Sequence, residues 1–114
     1  MSQEPAPYGV LTAETSWARL AVIFSDIAAE RARQEALKRS GRFRWTLADA
    51  DMPDADRLAA LGEEYGEVCR ALLEAHGEVA DVHGKELRKE LIQVAAVVVA
   101  WVERLDRDSD SGSS

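Results

Sequence analysis

The sequence predicts an all-α fold, an antiparallel helical bundle completed by oligomerisation. Apolar residues recur every three or four positions in three separate stretches. No β-hairpin signal or internal repeat interrupts them. The valine-rich run from Val94 to Val102, which alone would argue for a strand, lies inside a longer 3.6-residue pattern.

The first helix is expected to be capped by Thr12 or Thr15, to carry Trp17, Leu20, Phe24 and Ile27 on one stripe, and to run to about Arg39. Gly41 then stops it. From Gly41 to Pro53 the chain is irregular, with Phe43, Trp45 and Leu47 set among turn formers, until Asp54 or a neighbouring Asp offers an N-cap. Leu58, Leu61, Tyr65, Val68 and Leu72 make the second apolar stripe, which fails near His76 and Gly77. The third helix is expected from about Gly84, with Leu87, Leu91, Val94, Val98, Trp101 and Leu105 in line. Its second half is apolar all round, which three short helices cannot cover, so this helix is expected at a subunit interface. Trp17 and Trp101 read as core. Residues 1–11 form a flexible lead, 12–105 the helical domain, and 106–114 a disordered acidic and serine-rich tail.

Composition narrows the function classes. A chain of 114 residues, 46% hydrophobic and 31% charged, suits one domain, and no apolar run approaches the roughly 18 residues that span a bilayer. No membrane association is expected. The amino terminus lacks the order of a secretory signal, which makes a cytoplasmic location the default expectation. Cys69 has no partner for a disulfide and reads as a small core residue. With 14 basic and 21 acidic residues the net charge is −7, which disfavours nucleic acid and favours metal cations. Positive charge is nevertheless concentrated in Arg31, Arg33, Lys38, Arg39, Arg42 and Arg44.

The most informative segment is Leu61-Gly62-Glu63-Glu64-Tyr65-Gly66-Glu67-Val68. On a helix, Glu64 and Glu67 share a face, and Glu63 stands one turn from Glu67. The third helix repeats the theme with Glu86 and Glu90 one turn apart and Gln93 three residues further on. Glu64 and Glu90 border the apolar stripes of their helices, so packing of those stripes brings the two borders together. Hard divalent cations want such oxygen ligands, Mg²⁺ through a few carboxylates plus substrate phosphates. The alternative reading is a solvated acidic face. Gly62 and Gly66 each cost roughly 1 kcal/mol in a helix interior, which close approach of a substrate or second helix would explain. Arg31, Gln34, Arg42 and Arg44 suit phosphate contacts or, equally, a helix carboxyl end. Trp45 suits stacking on a base or a lid on the core. His76 and His83 have no Cys nearby, which speaks against zinc.

Glu63-Glu64-Tyr65-Gly66-Glu67 followed by Leu87-Arg88-Lys89-Glu90-Leu91-Ile92-Gln93 resembles the EExxE…ExxD signature of the all-α nucleoside triphosphate pyrophosphohydrolases, in particular the small MazG-like proteins. Upstream, Glu30-Arg31-Ala32-Arg33-Gln34 and Trp45 are similar to the ERxRQ and Trp elements of that group. The resemblance spans about Ala29 to Leu105. It implies a helical homodimer or homotetramer that holds Mg²⁺ or Mn²⁺ and cleaves a nucleoside triphosphate to the monophosphate and pyrophosphate. It further implies that Glu64, Glu67 and Glu90 are metal ligands and that Glu63 is the leading acid assisting metal or water. Gln93 stands where the family pattern has Asp; its amide oxygen can coordinate but brings no charge and no base. Glu86 reads either as a stand-in for that charge or as an exposed partner of Lys89. Two further functions are carried forward: a catalytically weakened helical protein that senses nucleotide or binds a partner, and a nucleic-acid regulator using the Arg31 to Arg44 segment.

Overall fold

A computed structural model describes residues 16–42, 46–74 and 80–112, with the backbone alone at 80–83. Its described residues form three helices and no strand: α1 (Trp17–Arg39), α2 (Asp54–Glu74) and α3 (Ala80–Gly112). The all-α class is therefore as the periodicity predicts. No helix among them is long and apolar enough to cross a membrane.

Three of the helix ends have a local cause. Ser16 is extended, and its hydroxyl accepts from the Arg19 N–H at 3.1 Å, capping α1; Thr12 and Thr15 lie outside the described residues. At the other end Gly41 adopts φ +85°, a left-handed conformation that only glycine takes without strain, and Lys38 and Arg39 complement the helix dipole. Asp54 and Asp56 do the same for the amino end of α2.

α3 is longer than its pattern suggests at both ends, starting at Ala80 rather than near Gly84 and continuing to Gly112. The segment 106–112 is thus helix, where the composition predicts disorder. Arg104 pairs with Asp108 and Arg107 with Glu103 one turn apart, and Arg107 also reaches the Ala48 carbonyl at 3.5 Å. These side chains tie the overhang to the chain in a way that a tally of polar residues misses.

α3 is the axis of the molecule. α1 packs on one side of it and α2 on another, and α1 and α2 do not close on each other. The loop 46–53 folds over the carboxyl half of α3, so the core is small and off-centre: Leu47, Ala48, Met52, Val97 and Ala100, with Ala60, Leu61 and Trp101 against it. Trp101 joins the core as its stripe predicts. Trp17 does not; it is 52% exposed, and Phe24 is 59% exposed. α1 seats itself through its second half instead, and its buried residues are the polar pair Arg31 and Gln34.

Arg57 fixes the loop to the start of α2. Its buried guanidinium donates to the carbonyls of Leu47 (3.0 Å) and Asp49 (2.5 Å) and pairs with Asp54 at 2.7 Å. Truncation in Arg57→Ala is expected to strand those carbonyls at a cost of about 2–3 kcal/mol, read as a lower denaturation midpoint at unchanged slope.

Candidate functional site

The acidic turn of α2 sits one turn beyond the core residues Ala60 and Leu61, and this register decides what each carboxylate meets. Glu64 is half-buried and turns toward α3. Burial and then the charges of Glu90, Glu67, Glu30 and Glu63 hold its carboxyl above the ordinary range. Carboxylates from all three helices therefore act on one group, in a gap that α1 and α2 leave open.

Glu30 is the member that sequence reasoning missed as part of this cluster. Its motif drew attention to Arg31 and Gln34, but only the packing of α1 against α3 brings Glu30 into the field of Glu64. It is gripped by Arg33, Nε to Oε2 at 2.7 Å and Nη2 to Oε1 at 2.5 Å. Arg33 is raised by the hydrogen bond from its own side chain to Glu30, against burial and with help from the charges of Glu30 and Glu64. Glu67 is likewise engaged, by Arg70 one turn away.

Among the described residues no group of three or more His, Cys, Asp or Glu side chains converges in a way that could hold a metal ion. The charge of the cluster suits a cation, since its carboxylates repel one another, but the side chains are not assembled around a point. Glu67 and Glu30 are held by surface ion pairs. Such pairs are worth about 0–1 kcal/mol, little enough to be exchanged for a divalent ion.

The other residues singled out from the sequence are dispersed. Glu90 is half-buried on α3 beside Glu64, and Glu63 is exposed at the edge of a cavity that Glu64 also lines. Gln93 faces a different space, a cleft of about 670 Å³ between α1 and α3 that also contains Glu30, Arg33, Lys85, Arg88 and Lys89. Arg31, weighed as a phosphate contact, is committed elsewhere. Its Nε donates to Glu103, and its Nη1 lies 2.7 Å from Glu35 as an ion pair; burial opposes its charge, but the two carboxylates outweigh burial and raise it. Glu35 in turn is lowered, because the Thr46 hydroxyl at 2.7 Å, Arg31 and Lys38 overcome burial. Arg31 thus joins α1 to α3. Arg42 is exposed after α1, Gln34 is buried, and Arg44 and Trp45 lie outside the described residues.

Gly62 and Gly66 were expected to permit a close approach. Among the described residues, a Cβ at either would meet nothing within 4 Å, so no described part of the chain requires them to be glycine. No family model, curated protein or solved structure matches this chain significantly.

Proposed function

We propose that this chain is a Mg²⁺-dependent nucleoside triphosphate pyrophosphohydrolase. One observation carries the reading: Glu64 is half-buried and held in the combined field of Glu90, Glu67, Glu30 and Glu63, a crowding of like charge that a cation would relieve. Glu64, Glu67 and Glu90 would hold the ion, with the Gln93 carboxamide the fourth candidate. When bound, the ion neutralises phosphate charge and makes a coordinated water acidic near neutral pH. Glu63, exposed and next to Glu64, takes the proton of the water that attacks the α-phosphorus. The Pα–O bond to the leaving group breaks and pyrophosphate departs with that bond's electrons. Arg33, Lys85, Arg88 and Lys89 line the adjoining cleft and stabilise the departing charge. The test is pyrophosphate release from a nucleotide panel, with and without Mg²⁺; none from any nucleotide by folded protein would reject the reading.

A second reading, a nucleotide sensor or interaction module without turnover, draws support from Gln93 in place of an acid and from the unassembled ligand set. The two are separated by Gln93→Asp. Adding the missing charge is expected to tighten Mg²⁺ binding by about tenfold, read by calorimetry. Turnover gained only in this variant would favour the sensor.

The working unit we infer is a homo-oligomer, and a homodimer is the smallest that suffices. Leu91, Val98 and Leu105 stand exposed seven residues apart on α3, as do Leu58, Tyr65 and Leu72 on α2. That is the spacing of a seam that packs against another helix.

A further inference from the structure

Two ion pairs join α1 to α3 at different levels, Asp26 with Arg88 and Arg31 with Glu103. Between those levels stand Glu30 on α1 and Gln93 on α3, and both line the cleft of about 670 Å³. We propose that Glu30 supplies from α1 the ligand carboxylate missing at Gln93, so that all three helices contribute to the cation site. The assignment rests on the metal-dependent reading above and adds a ligand where the family resemblance looks only to α2 and α3.

The Glu30 side chain is only 11% exposed, although its partner Arg33, one turn away, is 51% exposed. Carboxylates are seldom so enclosed on account of one surface arginine. A pair within one helix and open to water is weak. Arg33 can therefore turn to an anion in the cleft that it lines and release Glu30 to a cation. The charge of Glu30 already acts on Glu64 from across the gap between α1 and α2.

The other acids near this place do not fill the role. Asp26 lines the same cleft, but Arg88 holds it at 2.6 Å and it is not one of the charges that raise Glu64. Glu86, the stand-in suggested by spacing, is exposed and outside the lining of the cleft. A carboxamide coordinates through its oxygen without adding charge. Affinity for a hard divalent ion follows the number of charged ligands, so a carboxylate from the facing helix restores what glutamine at position 93 takes away.

Metal binding without nucleotide or hydrolysis tests this. Mg²⁺, and Mn²⁺ as a second probe, are titrated calorimetrically into the folded wild type, Glu30→Gln, Asp26→Asn and the double variant Glu30→Gln with Gln93→Asp. Glu30→Gln is expected to weaken binding by about tenfold or more. Asp26→Asn, which removes the same charge from the same cleft, is expected to leave it nearly unchanged, and the double variant to regain the wild-type affinity. If Glu30→Gln does not fold, Glu30→Asp gives the comparison, with weaker binding expected because the charge sits on a shorter arm. Equal affinity in Glu30→Gln and wild type overturns the assignment. So does an equal loss in Asp26→Asn, which marks a general effect of charge, and so does a double variant that regains nothing. A wild type that binds neither ion overturns both the assignment and the reading beneath it. Pyrophosphate release is scored separately. Glu30-dependent metal binding without release keeps the assignment and removes the hydrolase, whereas release with metal affinity unchanged in Glu30→Gln keeps the hydrolase and removes the assignment.

Discussion

Glu64→Gln is expected to lower Mg²⁺-dependent pyrophosphate release by about 100-fold or more, and at the same time to raise the Tm. The first effect follows because Glu64 is the carboxylate on which the fields of Glu90, Glu67, Glu30 and Glu63 converge. Loss even of groups that only support metal ligands costs about 10–100-fold, so loss of a ligand in the role proposed for Glu64 should cost at least as much. The second follows from the sign of its shift. A carboxyl whose pKa is raised by folding contributes most to stability below its unfolded value, where both states are protonated, and that contribution is lost as pH rises through the raised value. The ionised form of the group therefore works against the fold. Glutamine removes repulsions worth roughly 0.2–0.5 kcal/mol per neighbour, reduced by solvent for a half-exposed group, which amounts to a few degrees. Mg²⁺ should raise the Tm of the wild type by binding the folded state and leave that of Glu64→Gln nearly unmoved. Wild-type turnover by Glu64→Gln would reject the proposed chemistry.

Val98→Glu is expected to abolish the proposed self-association and leave monomers, followed by sedimentation or light scattering across a dilution series. Val98 lies at the middle of the exposed Leu91, Val98 and Leu105 line and is 42% exposed in the single chain. In a helix–helix seam its side chain is enclosed by the partner. An unpaired carboxylate there carries a penalty of several kcal/mol, and each 1.4 kcal/mol is about tenfold in affinity. The folded single chain should tolerate the change, because the site is open to water before association. A wild-type protein that stays monomeric at high concentration would reject the seam, and so would a Val98→Glu protein that still assembles.

Much of the fold is legible in the sequence because helices announce themselves locally. Gly41 ends α1 and Asp54 begins α2 within the spans that capping and period predict. The apolar line of α3 is likewise present in the spacing of Leu87 to Leu105. Where the reading departs from the structure, the cause is distant. The polar tail becomes the last turns of α3 because Arg104 and Arg107 find Asp108, Glu103 and the Ala48 carbonyl. Trp17 and Phe24 have core spacing, yet α1 seats itself through Arg31 and Gln34 instead.

For the candidate site the division is similar. Spacing alone puts Glu64 and Glu67 on one face of a helix and marks Glu90 on another, because helical geometry is fixed within a turn or two. It cannot show that Glu30 joins them, that Arg31 is consumed by Glu35 and Glu103, or that Gln34 lines one cavity with Glu63 and Glu64. Those facts depend on how three helices lie against one another across long sequence separations. The sequence thus determined the helices, their caps and the acidic faces, all consequences of short-range backbone geometry. The tertiary structure decided which charges meet and which polar side chains are buried, because burial and Coulomb interaction act through space rather than along the chain.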